Sequence, residues 1–475
     1  MNGDGIKIGL ALSGGGFRAS FFHIGVLAKL AECDVLRNVE AISCVSGGSI
    51  IGTHYYLELR NLLQTKSNDE ITRQDYIDIM KKIEKEFLAS VQQNIRLRIF
   101  FNLYANIKML SPHYSRTNRM GELFEDIIYS NVEDGLHKDK RWINDLKVQP
   151  LGFNGNFAPA QHNCQLKAKV PILVINTTSL NTGNNFQFTA TWMGEPPRAD
   201  IEKDVDATYR LRRMYYEAKD TPHEYQRYRL GYAVAASACV PGLLEPITLD
   251  GLYQHRYKAD KDIQVRLVDG GVSDNQGISA LLEEDSQKNH LCNVLLVSDA
   301  SGQMDGDDDP GKHAESTILR SNSVFQARLR IAQYKEISAL KNSGRLKAML
   351  LLHLKKDINA PSVDWIGCTT QSNVNDAPIY PGPLTSYGIN KKYQECLSNI
   401  RTDLDSFSDN EAHALMASGY LMTGKMLPDE VKGISDCSYK CDEWEFFRMI
   451  PILGSERVND TLLEELKEAS KIDLK

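Results

Sequence analysis

A chain of 475 residues, 42% hydrophobic and 25% charged, has enough apolar material for a packed core around one large domain with appended elements. Its composition is that of neither a disordered nor an integral membrane protein. The formal net charge of -7 leaves no basic excess to meet a phosphate backbone, which argues against nucleic-acid binding.

The chain begins without a basic segment leading into an apolar run and a cleavage site, and no apolar stretch approaches the ~18 residues that span a bilayer. The expectation is a soluble, cytoplasmic protein. Ile6 to Leu12 form a short apolar strand that stops at Ser13 and three glycines, a buried strand meeting a tight loop. Phe22, Val26, Leu27 and Leu30 then recur at helical spacing, and Val39 to Val45 form a second apolar strand of parallel-sheet character. After Gly47 and Gly48 the pattern turns helical through Ile50, Ile51 and Tyr55. This is a βαβ unit with Ser46 on the sharp turn between strand and helix.

From about 66 to 165, charged helix-forming stretches alternate with loops, and NIRLRIFFNLYANIKML from Asn94 to Leu110 interleaves basic and bulky apolar side chains. The segment reads as an inserted cap. Its residues, Phe100 and Phe101 among them, are candidates either for lining an acyl-chain channel and dipping into an anionic lipid surface, or for packing on the body of the protein. Strands are predicted again at Val170 to Asn176, Gln264 to Val268 and Asn293 to Ser298, with a second surface insertion over about 192–229. MDGDDDPG, from Met304 to Gly311, lacks the glutamate spacing of a calcium-binding EF-hand loop. Helices dominate after Ala314, with one further strand at Ala348 to Leu354. The expected division is a main domain over 1–310 carrying both insertions, a mainly helical continuation over 311–427 packed on it, and a tail over 428–475.

The nine cysteines, at 33, 44, 164, 239, 292, 368, 396, 437 and 441, are scattered and odd in number. They read as reduced thiols. Cys437 and Cys441 are close, but without a neighbouring histidine or further cysteine they read as a packing pair rather than as a zinc site.

Three pieces carry chemistry. In SCVSGGS, Ser43 to Ser49, the turn needs small neighbours two residues either side of the serine. Gly48 meets that need, while Cys44 stands where the usual GxSxG pattern has its first glycine. The start of the next helix directs its N–H groups at the serine, which favours a developing oxyanion. In SGGGFRA, Ser13 to Ala19, Gly14, Gly15 and Gly16 let several backbone N–H groups face one small volume, as an oxyanion hole or a phosphate cradle requires. No Lys-Ser/Thr pair follows, against a P-loop, and no acidic residue ends the next strand, against a dinucleotide fingerprint. Arg18 stands ready either to neutralise a lipid phosphate or to brace the loop. In VDGGVSDNQG, Val268 to Gly277, Asp269 at a strand exit is either a general base or the start of an ordinary turn, and Asp274, Asn275 and Gly277 shape the loop.

Together, SGGGFRA, CVSGGS and the distant DGG resemble the patatin-like phospholipases and their relatives the cytosolic phospholipase A enzymes. INTTSLNTGNNFQF (Ile175 to Phe188), AVAASACVPGLLEP (Ala233 to Pro246) and DLDSFSDNEAHALMASGY (Asp403 to Tyr420) are similar to further segments of that family. The resemblance implies a three-layer α/β fold with a mainly parallel central sheet, helical cap insertions and a helical C-terminal extension. It implies Ser46 as nucleophile, Asp269 as its only partner base and Gly14 to Gly16 as oxyanion hole. It further implies that neither metal nor cofactor is required, that the substrate is a phospholipid or other acyl ester, and that contact with a membrane surface is peripheral. Cys44 and Ala19 depart from the family pattern without removing a catalytic group.

Other readings stand beside this one. A Ser-His-Asp esterase would use His353 or His413, although its serine should follow more strands than Ser46 does. A binding or scaffold protein of the same fold would not turn over esters, and a lipase effector would be switched on by a signal.

Overall fold

The computed structural model describes residues 5–471 except 101–113, 136–139, 199–203, 206–207, 256–261, 284–290, 303, 305, 359–365, 368–379, 434–435 and 442. The chain opens with β1 (Ile8–Leu12), α1 (Gly16–Glu32), β2 (Val39–Val45) and α2 (Gly47–Thr65). Every residue of β1 is buried, as are all but one of β2, which is why both read as continuous apolar runs rather than alternating ones. Helices α3 (Arg73–Val91), α4 (Ile95–Phe100) and α5 (Arg116–Leu123) follow.

The segment that reads as a cap is therefore not one thing. α3 buries an apolar stripe of Tyr76, Ile77, Met80, Ile83 and Phe87 against the body, and a capping box of Thr72 with Asp75 sets its start. Phe87 meets Phe17 and Phe21 of α1 edge-to-face, at centroid distances of 6.0 and 5.4 Å.

Next come β3 (Ile172–Ser179), β4 (Asn185–Phe188), β5 (Trp192–Gly194), β6 (Met214–Tyr215), α6 (Leu230–Ser237), β7 (Ile247–Gln254), β8 (Asp262–Asp269) and β9 (Val294–Asp299). The chain finishes with α7 (Ala314–Asn342), β10 (Ala348–His353), α8 (Lys391–Asn399), α9 (Asp409–Glu430) and α10 (Asp460–Lys471).

One ten-stranded sheet runs β10-β9-β1-β2-β3-β4-β5-β6, with β8 pairing β3 and β7 off that path. The five strands from β10 to β3 pair in parallel; β4, β5 and β6 extend the sheet antiparallel, and β8 lies antiparallel to β3. The fold is thus a mainly parallel α/β sheet flanked by helices, as expected. The strand over Gln264 to Val268 is real but antiparallel, and parts of 192–229 prolong the sheet edge. β10 completes the opposite edge, so the same sheet draws strands from both sides of residue 310.

On one face α9 packs along α1 at near-backbone distance. A methyl group on Gly25 would come within 1.8 Å of the Met416 carbonyl oxygen, and one on Gly419 within 2.2 Å of that of Phe22. The reading of the cysteines as reduced thiols fails at one pair: Cys33 is disulfide-bonded to Cys437, 404 residues away. Cys437 is therefore not the packing partner of Cys441, which is buried and free. No helix among the described residues is long and apolar enough to cross a membrane.

Candidate active site

Ser46 sits between β2 and α2 with φ 50° and ψ -119°, left-handed backbone that a residue with a side chain adopts at a cost of about 1–3 kcal/mol. The turn is locked by what abuts it. A methyl group on Gly47 would come within 2.0 Å of the Gly16 carbonyl oxygen, and one on Gly48 within 2.2 Å of that of Leu12, so the serine turn and the glycine loop touch backbone to backbone. Cys44 is accommodated from the other side. Its Sγ occupies the space over Gly52, where an added methyl group would lie 2.4 Å away, and burial raises the thiol pKa. The glycine missing before the serine thus reappears eight residues later in α2.

A residue singled out by sequence only as part of a motif holds this turn. Ser237, the last residue of α6, accepts the Ser46 N–H at 2.9 Å and exchanges a hydrogen bond with Ser49 Oγ at 2.8 Å. Its own hydroxyl donates to the Asn176 carbonyl at 2.6 Å. The Asn176 side chain in turn donates to Ser43 Oγ and to the Cys44 carbonyl, both at 2.9 Å.

The same segment fixes Asp269 at the end of β8. The Asp269 N–H donates to the Cys239 carbonyl at 2.8 Å, the Asp269 carbonyl accepts from Thr178 Oγ1 at 2.9 Å, and its carboxylate accepts the Gly271 N–H at 2.7 Å. Burial raises the carboxyl to about 6, opposed by hydrogen bonds from the Gly271 N–H and the Ser46 side chain. Asp274 shapes the following loop, accepting the N–H groups of Gly277 at 3.0 Å and Ser279 at 2.7 Å.

The three glycines are not equivalent. The Gly14 N–H is committed to the Asn275 carbonyl at 2.9 Å, so the expectation that all three amides face one volume is corrected. Gly15 and Gly16, at φ 134° and 56°, have N–H groups without a partner among the described residues, and both line the cavity that Asp269 also lines. Beneath them His23 bridges Ser298 Oγ at 2.7 Å and the Ser13 carbonyl at 3.0 Å. Burial holds its pKa down to about 4, so the ring is neutral at physiological pH.

Arg18 lines a cavity that Ser46 also lines, and its guanidinium donates to the carbonyls of Ser398 (2.9 Å), Ile400 (2.7 Å) and Ala300 (3.0 Å). The charge is buried and bonded to the loop over α1, the bracing arrangement.

Two cavities meet at Ser46. One, of about 610 Å³, runs under the cap between Ile99 and Phe100 of α4, Val240, Leu243 and Leu244, and the backbone of Ser398 to Leu404. The other, of about 310 Å³, holds Asp269, Gly15, Asn275 and Arg330; Ser46 and Gly16 line both. Phe100 is 40% exposed at the cavity wall, and Phe101 lies outside the described residues. Arg96, one turn earlier on the same face of α4 and lining the same cavity, ties the cap to the facing loop through Asp403 (2.9 Å) and Asp405 (2.6 Å).

No histidine lines either cavity among the described residues. His353 ends β10, three strand positions from β2 in the sheet and so roughly 14 Å distant at ~4.8 Å per strand. It faces Asp299 at 3.8 Å. Burial raises the Asp299 carboxyl, but His353 and hydrogen bonds from Ser301 and Tyr334 hold it down to about 2. His413 lines a separate cavity with Lys85 and Arg448. Neither meets Ser46.

A strained serine between a buried parallel strand and a helix, set against a glycine loop and a buried carboxylate, defines an α/β protein of the serine-elbow class. The patatin-like phospholipase family model matches residues 10–282, more than half of the chain, and the chain belongs to that family. The family is named for phospholipase activity, the hydrolysis of a lipid ester.

No curated protein matches the sequence. Among solved structures, human GIVD cytosolic phospholipase A2 aligns at 12% identity over 98% of this chain and 60% of its own, with a TM-score of 0.39. The same human protein in complex with methyl gamma-linolenyl fluorophosphonate and terbium chloride aligns at 11% identity over the same shares, also at 0.39. VipD from Legionella pneumophila aligns at 14% identity over 88% of this chain and 67% of its own, at 0.29. The chain thus spans less than two thirds of the human phospholipase with which it aligns.

Proposed function

We propose that this protein hydrolyses the acyl ester of a phospholipid or related lipid with a Ser46–Asp269 dyad and no histidine. The observation that carries the reading is the pairing of Ser46 with the desolvated carboxylate of Asp269, whose pKa is raised to about 6. An unperturbed carboxylate, at a pKa of about 3.9, is a weak base; one raised by desolvation accepts a hydroxyl proton more readily.

In the proposed reaction Asp269 takes the Ser46 proton as Oγ bonds to the ester carbonyl carbon. Negative charge develops on the carbonyl oxygen and is met by the N–H groups of Gly15 and Gly16, with the N-terminus of α2 adding its dipole. The tetrahedral centre collapses, the C–O bond to the alcohol breaks, and Asp269 returns the proton to the departing oxygen. Water then attacks the acyl-serine, again deprotonated by Asp269, and releases the fatty acid. The apolar wall of Ile99, Phe100, Leu243 and Leu244 suits an acyl chain. On this reading the protein works in the cytoplasm, at the inner membrane surface.

The test is fatty-acid release from phosphatidylcholine, phosphatidylethanolamine and phosphatidylglycerol vesicles. Wild type releases fatty acid, Ser46→Ala and Asp269→Asn lose about a thousandfold or more, and His353→Ala and His413→Ala retain activity. Loss in either histidine variant with retention in Asp269→Asn would overturn the dyad. Absence of turnover on every lipid ester by the wild type would overturn the hydrolase.

A further inference from the structure

On the facing sides of α2 and α3, away from Ser46, one imidazole and two carboxylates converge. His54, Glu58 and Glu86 each turn a ligand atom to a common point, all within 4.8 Å of one another. His54 and Glu58 stand four residues apart on α2 and so share a face, while Glu86 comes from α3.

His54 is fully buried, and neither of its ring nitrogens has a hydrogen-bond partner. Its Nε2 is 3.9 Å from Glu86 Oε2, too far for a hydrogen bond. Glu86 Oε2 is a buried oxygen that also lacks one, while Glu58 Oε1 has the Lys82 ammonium as its partner. Interiors satisfy such groups with protein, water or an ion, so an imidazole with both nitrogens idle beside two carboxylates indicates a ligand.

Two cationic side chains, Arg141 and Lys82, stand near the three. Arg141 is taken up by Asp134 at 2.6 Å. Lys82 lies 2.8 Å from Glu58 Oε1 and 3.9 Å from Glu86 Oε1, where it offsets part of the carboxylate charge but makes no hydrogen bond to the imidazole.

We propose that His54, Glu58 and Glu86 bind a divalent cation of the zinc or manganese class that clamps α2 to α3. One imidazole nitrogen with two carboxylates suits these ions, whereas calcium and magnesium favour all-oxygen shells. Metal–ligand bonds of about 2.0–2.2 Å bring ligand atoms about 3.5 Å apart, so the side chains must close in by about an ångström. Glu86, with 29% of its side chain exposed, has the freedom to do so and marks the way in from solvent. The ion carries no step of the ester chemistry. Its effect is on α2, which it grips two turns behind the serine turn.

The experiment uses the full chain, stripped with a chelator and titrated calorimetrically with zinc chloride and, separately, manganese chloride. The expected result is one equivalent bound, with a rise in Tm on loading. Glu86→Gln weakens binding by about tenfold or more, His54→Asn abolishes it, and Lys82→Met, which removes a competing cation, tightens it. Should His54→Asn not fold, Glu86→Gln and Lys82→Met still decide. Failure of the wild type to bind, binding unchanged in Glu86→Gln, or binding that appears only after Lys82→Met would each overturn the proposal. The last would make the Lys82 ammonium the resident cation.

Discussion

Ser237 holds Ser46 by accepting its N–H at 2.9 Å, and with its own carbonyl it accepts the N–H of Gly270 at 3.3 Å. One residue at the end of α6 therefore grips both the serine turn and the backbone next to Asp269.

Ser237→Ala leaves the buried Ser46 N–H and Asn176 carbonyl without their partner. Small displacements of a reacting group cost far more in rate than in binding, so kcat should fall by about ten- to a hundredfold with little change in KM. Stability should fall by about 1–3 kcal/mol. Steady-state kinetics and urea unfolding check the two together; a stability loss without a kcat effect would reduce Ser237 to a packing residue.

Asp269 links activity and stability to pH in opposite directions. As a base it must be ionised, so kcat should rise through about pH 6, the value to which burial raises it. Its folded pKa lies above the unfolded one, so the folded state binds the extra proton. The stability this gives is complete below the ordinary aspartate value of about 3.8 and is lost as pH rises through about 6. Asp269→Asn removes that loss and should be more stable than wild type at pH 8 by up to about 3 kcal/mol, but not at pH 3. Urea unfolding of both proteins at the two pH values measures it.

Cys44 and Gly52 should be coupled. In an ordinary helix interior Gly→Ala stabilises by about 1 kcal/mol, but a methyl group on Gly52 meets Cys44 Sγ at 2.4 Å. Gly52→Ala should instead destabilise by about 1–3 kcal/mol, and adding Cys44→Gly should recover most of that. A double-mutant cycle by denaturant unfolding gives the coupling; simple additivity would mean that the thiol does not fill this space.

Arg18→Lys separates bracing from headgroup recognition. A lysine keeps the charge but cannot reach the carbonyls of Ala300, Ser398 and Ile400 together. The variant should lose a few kcal/mol of stability, and its activity should drop to the same extent on phospholipids and on phosphate-free esters. A drop confined to phospholipids would show that Arg18 reads the phosphate.

Much of this site was legible because it is local. A buried strand ending in glycines, and a serine at a strand-to-helix turn, declare themselves through apolar runs and small residues within a few positions. What was hidden depends on chain brought from far away. Arg18 reads equally as a phosphate ligand or a brace until its carbonyl partners arrive from 282 to 382 residues downstream. Gly14 looks like its two neighbours until Asn275 takes its N–H. Cys33 and Cys437 have no shared spacing to betray a bond across 404 residues. Ser237 lay in a recognised segment, but a serine among alanines carries no signal of what its hydroxyl will hold. α3 read as part of a cap because its charged face dominates its composition, although its apolar stripe packs on α1.

The most direct test of the dyad is covalent labelling. The full chain is treated with a long-chain alkyl fluorophosphonate and its intact mass and modified peptide are read by mass spectrometry. The account predicts a single adduct on Ser46, absent in Ser46→Ala, slowed by about a hundredfold or more in Asp269→Asn and unchanged in His353→Ala. An unlabelled Ser46 in the folded wild type, or labelling as fast in Asp269→Asn as in wild type, would contradict it.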